Sequence, residues 1–445
     1  MKLIYGVKDR PPFGQTIVFA IQQLLAIMAA TLVVPVIIGN GMQPAAALFG
    51  AGVGTLVYLA FTKFKSPVFL GSMAAAFAGG VSMALGYLGL ILGAIFAGLV
   101  YVVIAILVKF VGVGWLNKLM PPVVIGPTVA IIGLSLAGNA VGDMQKGGIG
   151  TAHPLICVLI GVVTLLATTL ASTYGKKFAK LIPFIIGILS GYALAAIFTV
   201  IGDAAGIDAL KVIDFSKISV LWEGGVTAKT FINLDFIPTF WVAKDGIAEL
   251  NGTYIATIAV AYLPVALVVF AEHVADHKNI STIIDTDLLE EPGLARTLLG
   301  DGVGSMAGAV FGGCPNTTYG ESVGCVAITR NASVITIVYA AVGAMLIAFF
   351  APFVAFVNSI PSCVMGGVCM ALYGFIAVSG LKMLQKVDLN KNRNLFTASA
   401  ILIAGIGGLS LTFGKIKLTE IATALILGII VNQLLSKEKD EEEAE

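Results

Sequence analysis

The sequence predicts an all-α integral membrane protein with fourteen transmembrane spans in two inverted seven-span repeats. Three observations lead to this prediction. The 445 residues are 58% hydrophobic and only 11% charged, whereas soluble domains are about 25% charged. Apolar windows long enough for a helix to cross a bilayer recur along the whole chain, unlike the alternating pattern of a membrane β-barrel. One long polar segment, 202–252, divides these windows into seven and seven.

Polar residues, glycines and prolines separate the apolar windows and so define the predicted spans. The windows that become spans 3 and 10 each open with a proline and β-compatible residues, so we expect a short extended strand in both. Such backbone survives at membrane depth only where it is buried in protein or lines a cavity. The predicted spans are 14–38, 45–62, 67–85, 88–108, 122–139, 154–174, 182–201, 253–275, 295–312, 315–330, 333–357, 361–380, 395–412 and 419–435.

The distribution of basic residues sets the orientation. Lysines and arginines concentrate in the loops on one face, and only Lys146, Lys415 and Lys417 lie in the short loops on the other. Since cytoplasmic loops carry the excess of positive charge, both termini are predicted to lie in the cytoplasm, with the chain in the cell (inner) membrane. The segment 202–252 is then extracytoplasmic, either as a partly folded cap or, as we favour, as a tolerated insertion. The acidic tail 437–445 is expected to be disordered.

Composition also narrows the classes of partner. A net charge of +1 gives no reason to expect a nucleic-acid partner. The five cysteines show no CxxC spacing and there are three histidines, so neither a disulfide framework, a metal site nor a bound cofactor is expected.

Two segments place carboxylates at membrane depth. A charged side chain facing lipid costs roughly 2.5–3.5 kcal/mol, so such groups normally line a pathway or a site. Glu272 and Asp276 are four residues apart and share one helix face, with His273 and His277 on the adjacent face. A zinc site built from the two histidines lacks further ligands. A solvated cytoplasmic helix end would suit His277 and Lys278, but not Glu272, which follows an apolar run.

Glu321 follows the extended segment 315–320, where a helix should begin. A helix N-terminus offers free amides and favours an anionic group, so Glu321 either caps its own helix or binds a ligand, which we favour. Carboxylates accept N–H donors, whereas free amides donate to carbonyl oxygens. A neutral planar ring with alternating N–H and C=O groups, such as a pyrimidinedione, satisfies both sets.

An odd number of helices in each half inverts one half relative to the other, which is the plan of many secondary transporters. Two rivals stay open. A pair of carboxylates at depth could serve an intramembrane enzyme, although no nucleophile with a base at recognisable spacing accompanies it. The other rival is a passive channel. The titratable Asp276 favours alternating access over such an open pore.

The two carboxylate segments resemble the nucleobase–ascorbate transporter (nucleobase cation symporter) family, and specifically its uracil-permease branch. The segment 315–320 and the segment 271–277 both match that branch, and the resemblance covers essentially the whole chain. The family signature of span 10 reads here Glu321-Ser322-Val323-Gly324, four further residues, and Thr329-Arg330.

The resemblance implies that this chain imports uracil by proton symport as a homodimer in the lipid bilayer, with xanthine or another purine as the alternative substrate. It implies that Asp276 couples the proton, with His273 as a second candidate. The residues that it implies for substrate binding are the carboxylates Glu272 and Glu321, backbone amides at Gly320 and near Ala74, and the tyrosines Tyr319 and Tyr373.

The resemblance further implies a core domain and a gate domain, each built from both halves of the chain. The implied boundaries are 1–117 and 253–358 for the core domain, 118–201 and 359–436 for the gate domain, with 202–252 as the outer loop and 437–445 as the tail.

Four positions depart from the family pattern. Ser322 replaces the usual asparagine, Ala74 stands where a related permease has phenylalanine, Cys369 replaces a serine, and Gln23 stands where many members have histidine. None of these departures removes a carboxylate. They bear on substrate preference more than on transport.

Overall fold

The computed structural model describes residues 2–38, 42–72, 87–112, 114–176, 178–242, 246–248, 250–385, 387–413 and 416–437. Most of predicted span 3, including Ala74, lies outside these ranges, as does the acidic tail beyond residue 437. The described residues are mainly α-helical, with four short strands. The elements up to the outer segment are α1 Phe13–Ile38, α2 Pro44–Phe61, β1 Leu70–Ser72, α3 Tyr87–Val111, α4 Gly114–Leu119, α5 Pro122–Ser135, α6 Ala137–Asp143, α7 Pro154–Tyr174, α8 Phe178–Leu181 and α9 Pro183–Ala205.

The second half of the chain repeats this alternation of long apolar helices and short breaks. Its elements are α10 Ser216–Ser219, α11 Ala228–Phe231, α12 Thr239–Val242, α13 Gly252–Ile284, α14 Leu294–Val310, β2 Asn316–Thr318, α15 Gly320–Thr329, α16 Val334–Ala348, α17 Ala351–Ser359, α18 Ser362–Leu384, α19 Asn392–Ile406, β3 Leu411–Phe413, β4 Ile416–Leu418 and α20 Glu420–Leu434.

Within the described ranges, seven helices are long and apolar enough to cross a membrane. They coincide with predicted spans 1, 2, 4, 5, 6, 7 and 12. The chain is therefore an α-helical membrane protein, while the total of fourteen spans and the inverted repeat remain predictions. The seven helices are Phe13–Pro35, Pro44–Phe61, Leu88–Val111, Pro122–Asp143, Pro154–Tyr174, Pro183–Ala205 and Ser362–Leu384.

Three helices differ in extent from the predicted spans. Helix α13 ends at Ile284, nine residues beyond the predicted end of span 8 at 275. The polar residues after Glu272 do not end this helix, because His273, Asp276 and His277 are buried in the protein. Span 11 divides at Phe349 into α16 and α17, and span 5 continues beyond residue 139 as α6.

The helices pack as two groups. In the first group, α14 packs on α2 and α3, α16 packs on α1 and α2, and α13 packs on α3. In the second group, α18 packs on α5 and α7, α7 packs on α9, and α19 packs on α5 and α20. The part of α13 that carries Glu272 faces both groups, since α13 also contacts α5 and α20.

Glycines allow α2 and α14 to pack directly against each other. A Cβ on Gly54 would lie 2.7 Å from the Gly304 carbonyl oxygen, and one on Gly304 would lie 2.6 Å from that of Gly54. Small residues at such crossings are a common packing device between membrane helices. The Asn316 side chain enters this crossing and donates to the Gly50 carbonyl at 3.1 Å.

The strand at Asn316 pairs with the strand of the first half. β1 and β2 are antiparallel, with Gly71 opposite Thr317 and the two ends of the pair at Leu70–Thr318 and Ser72–Asn316. The prediction of short extended strands in spans 3 and 10 is confirmed. All six residues are buried, as non-helical backbone at membrane depth requires.

The outer segment is folded against the helices. Helix α9 ends at Ala205 and is capped by Gly206, whose φ of 66° is the left-handed conformation that favours glycine. Phe236 is fully buried, and its ring centroid lies 5.8 Å from that of Phe49 and 5.0 Å from that of Phe349. Hydrogen bonds to Asp208 and Asp203 raise the pKa of Lys211 at the edge of this segment.

Candidate functional site

A cavity of about 190 Å³ lies where the two helix groups meet. Because roughly 10–15 Å³ of such space suffices for one water molecule, the cavity has room for a small planar ring. Helix α13 and the β2–α15 segment line it from the first group, and α5 and α18 line it from the second group. Both groups therefore contribute to any ligand contact made here.

The three carboxylates that the sequence singled out line this cavity together. Glu272 and Asp276 project into it from one face of α13, and Glu321 reaches it from the first turn of α15. Glu272 and Glu321 are partly exposed, whereas Asp276 is only 7% exposed. The site thus presents two accessible carboxylates and one shielded carboxylate.

The N-terminus of α15 forms another part of the wall. Helix α15 begins at Gly320, whose amide is among the first-turn amides without a partner inside the helix. A Cβ on Gly320 would lie 3.6 Å from Asp276 Oδ1, so the Asp276 carboxyl sits beside this helix end. Free amides and the positive end of the helix dipole favour acceptor groups here. Glu321 lies in the same turn, so both interpretations of its role fit this geometry.

Ser322 fixes α15 to the neighbouring elements. Its hydroxyl accepts hydrogen bonds from Gln23 Nε2 of α1 and from the Phe69 amide, the latter at 2.9 Å. The serine that stands in place of the usual family asparagine thus connects α15 to α1 and to the residue before β1, and Gln23 supplies one of its two partners.

Tyr319 packs against β1 beside the cavity. Its hydroxyl donates to the Ser72 carbonyl, and its ring covers Gly71, where a Cβ would lie 2.0 Å from a ring carbon. Gly71 is therefore required for the ring to pack against β1. Tyr319 lines the cavity, although its exposed fraction is only 8%.

Tyr373 lines the opposite wall. It lies on α18 with Leu372 and Ile376, one helical turn after Cys369. The cysteine that departs from the family pattern is buried and is not among the residues that line the cavity.

His273 faces away from the cavity and is paired with a residue that the sequence analysis missed. Its Nδ1 lies 2.7 Å from Asp301 Oδ2, and its Nε2 lies 3.0 Å from Thr297 Oγ1. Thr317 of β2 donates to the same Asp301 oxygen at 3.2 Å. His273 and Asp301 are fully buried. Asp301 was recognisable as a carboxylate inside predicted span 9, by the criterion that identified Glu272.

The interpretation of His277 as a solvated helix end is wrong. His277 is fully buried, and its Nε2 lies 2.6 Å from the hydroxyl of Tyr58, which also donates to Ser66. Its ring stacks on that of His273 with a centroid distance of 4.0 Å. Lys278 is exposed, as expected for the next position of the helix.

The structure thus brings most of the predicted site residues to one cavity. His273 is the exception among the described residues, and Ala74 lies outside them. No group of three or more potential metal ligands occurs within the described ranges. The residues that line the cavity as predicted are Glu272, Asp276, Tyr319, Gly320, Glu321 and Tyr373.

Comparison with known proteins confirms the resemblance to uracil permeases that the sequence analysis described. A family model described as Permease family matches residues 14–413. The chain belongs to the Permease family. It shares 38% identity with the uracil permease of Bacillus caldolyticus, covering 98% of this chain and 95% of that one. It shares 37% identity with the uracil permease of Bacillus subtilis (strain 168), covering 99% and 97%.

Solved structures show that the fold extends beyond the family. The transmembrane domain of the cyanobacterial bicarbonate transporter BicA superposes with a TM-score of 0.62 at 13% identity, covering 96% of this chain and 99% of that chain. The murine Solute Carrier 26 family member A9 anion transporter gives a TM-score of 0.64 at 10% identity, covering 96% and 69%. Family membership identifies this chain as a transporter, so the intramembrane enzyme is excluded.

Proposed function

We propose that this permease imports uracil by proton symport, binding the ring in the cavity between the two helix groups. The observation that carries the proposal is the arrangement of acceptors and donors around that cavity. Glu272 and Glu321 reach it from two separate elements, and the amide end of α15 at Gly320 lies beside Asp276. Ring N–H groups suit the carboxylates, and ring carbonyl oxygens suit the amides. The identity to uracil permeases over nearly the full length supports the same substrate class.

Asp276 is the proposed proton carrier. It is shielded, it lies one helical turn from Glu272 and it borders the end of α15. Neighbouring carboxylates disfavour simultaneous ionisation, so a proton taken up by Asp276 favours substrate binding at Glu272. Its release into the cytoplasm then favours release of the substrate. His273 is less suited to this role, because it faces Asp301 and not the cavity.

The architecture that accompanies this function is also proposed. We infer fourteen spans in two inverted repeats, a homodimer in the cell membrane, and both termini in the cytoplasm. The pairing of β1 from one half with β2 from the other supports the repeat, since broken spans at matching positions mark the site of many transporters. The two packing groups of helices support division into core and gate domains.

Transport in proteoliposomes tests the function directly. Labelled uracil should accumulate when the outside is acidic, and a protonophore should abolish accumulation. Counterflow distinguishes a carrier from a passive channel, because a channel shows none. Labelled xanthine, measured in parallel, tests the alternative substrate. Accumulation of xanthine without uracil would contradict the proposed substrate and retain the transport mechanism.

Substitution of the two carboxylates tests the site. Glu321→Gln keeps the shape and an acceptor but loses the charge-assisted hydrogen bond, which is about twice as strong as a neutral one. We expect uracil to bind about tenfold more weakly, which corresponds to about 1.4 kcal/mol. Unchanged binding would favour the helix-capping role of Glu321.

A double-mutant cycle then asks whether both carboxylates contact one ligand. Residues that share a partner are non-additive by about 0.5–3 kcal/mol. Glu272→Gln and Glu321→Gln should therefore be non-additive in uracil binding free energy. Strict additivity would place them at separate sites.

A further inference from the structure

The cavity continues along α13 and α18 beyond the carboxylates. On α13, Asn279 follows Glu272 and Asp276 with the spacing of one helix face, and all three line the cavity. On α18, Ser379 follows Tyr373 at a spacing of six residues and lines the opposite wall. Each of the two helices thus contributes one polar side chain to the part of the cavity beyond the carboxylates.

Asn279 and Ser379 are displaced by similar distances along their helices from the residues that line the carboxylate part of the cavity. Seven residues at 1.5 Å per residue place Asn279 about 10 Å along α13 from Glu272, and six residues place Ser379 about 9 Å along α18 from Tyr373. Both displacements run towards the basic ends of the helices, marked by Lys278 and Lys382. In the proposed orientation this is the cytoplasmic side.

Both polar side chains are available for a ligand. Asn279 is exposed and Ser379 is partly exposed, and neither side chain makes a hydrogen bond to any residue in the described ranges. The neighbouring hydroxyls behave differently. Ser281 donates to the His277 carbonyl at 2.5 Å, and Thr282 donates to the Lys278 carbonyl at 2.9 Å. The carboxamide of Asn279 therefore lines the cavity without a hydrogen-bond partner among the described residues.

The chemistry of a carboxamide suits the same ligand as the site above. It offers one acceptor and two donors in a plane, so it can pair with a ring edge that carries N–H beside C=O, as asparagine does with a base edge in DNA. A neutral amide binds such an edge more weakly than a carboxylate does. A ring that leaves Glu272 and Glu321 would thus find a weaker partner about 10 Å further along.

We propose that Asn279 and Ser379 form a second, weaker binding site for a neutral heterocycle with an N–H/C=O edge, on the exit route to the cytoplasm. The inference rests on the proposed function, because it takes the ligand of the carboxylate site as its own. It adds an intermediate site that the ring occupies after leaving Glu272 and Glu321 and before reaching the cytoplasm. This second site lowers the free-energy barrier to release of the ring into the cytoplasm. It does not contribute to the affinity of the carboxylate site.

The test compares binding with exchange in the variant Asn279→Leu, which keeps the approximate side-chain size and removes the polar atoms. Equilibrium binding of labelled uracil should stay within about twofold of the parent, whereas the initial rate of counterflow should fall about three- to tenfold, the range expected for one lost neutral hydrogen bond. Thr282→Val is the matched control, since Thr282 lies on the same helix and bonds its own backbone. It should leave both quantities unchanged.

Ser379→Ala provides an independent variant on the opposite wall and should lower the counterflow rate in the same direction. Unchanged counterflow in both variants would overturn the inference. An equal loss of binding and rate in Asn279→Leu would also overturn it, because Asn279 would then belong to the first site. If the parent protein binds no uracil, the proposed function itself has failed, which is distinguishable from failure of the second site alone.

Discussion

At the scale of single residues, intramembrane charge was the most informative feature of the sequence. Glu272, Asp276 and Glu321 were identifiable because a carboxylate at membrane depth requires a partner or a pathway, and the structure places all three on one cavity. Asp301 satisfies the same criterion, but it lies between glycines in a segment that was interpreted only as a span. Its partner His273 is 28 residues away in the sequence, so no local pattern reveals the pair.

The Asp301–His273 pair should stabilise the fold. Asp301→Ala removes the hydrogen-bond partner of His273 and of Thr317, and each buried group left without a partner costs about 1–3 kcal/mol. We expect a clearly lower melting temperature in detergent, measured by the loss of the monodisperse species after heating. Asp301→Asn keeps one acceptor oxygen and should lose less. Equal stability of Asp301→Ala and the parent would contradict a stabilising role.

At the scale of elements, hydrophobicity located the helices but not their ends. The long apolar helices were predictable because an unbroken apolar run has few alternatives in a bilayer. Helix α13 exceeded its predicted length because its polar residues are buried against α14, β2 and Tyr58, and tertiary contacts of this kind cannot be read from one segment. The strands β1 and β2 were predictable as interruptions of the helices in spans 3 and 10. Their pairing was not, because it joins segments that are distant in the sequence.

Glycines at helix crossings provide a test at this scale. A Cβ on Gly367 of α18 would lie 2.3 Å from the Gly161 carbonyl oxygen of α7, so an alanine there must separate the two helices. We expect Gly367→Ala to lower the melting temperature, because overpacking typically costs about 1–3 kcal/mol. Gly374→Ala on the same helix is the matched control.

The two substitutions should differ in sign. A Cβ on Gly374 meets no atom within 4 Å, and alanine favours a helix interior over glycine by roughly 0.5–1 kcal/mol. Gly374→Ala should therefore leave the melting temperature unchanged or raise it. A similar loss of stability in both variants would contradict the role of Gly367 in the close contact between α7 and α18.

At the scale of the whole molecule, the cavity joins parts of the chain that are far apart in sequence. Glu272 and Glu321 belong to one packing group and Tyr373 to the other. The sequence singled out each residue, and the family resemblance implied that they share one site. The residues alone did not show how deep in the membrane each side chain lies or which way it points. Because the proposed ligand site lies between the groups, movement of one group against the other would change access to it, as the proposed alternating access requires.

The proposed coupling to protons is a property of the whole transport cycle, and Asp276→Asn tests it. Asparagine resembles the protonated carboxyl, so the variant should still bind uracil within a few-fold of the parent. It cannot exchange a proton, so a pH gradient should no longer drive accumulation, and the internal concentration should only reach the external one. Counterflow needs no net proton movement and should survive. Asp203→Asn, an exposed acid that does not line the cavity, should behave as the parent. If uptake in Asp276→Asn still follows the pH gradient, the proton is carried elsewhere, and the buried pair of His273 and Asp301 becomes the next group to test.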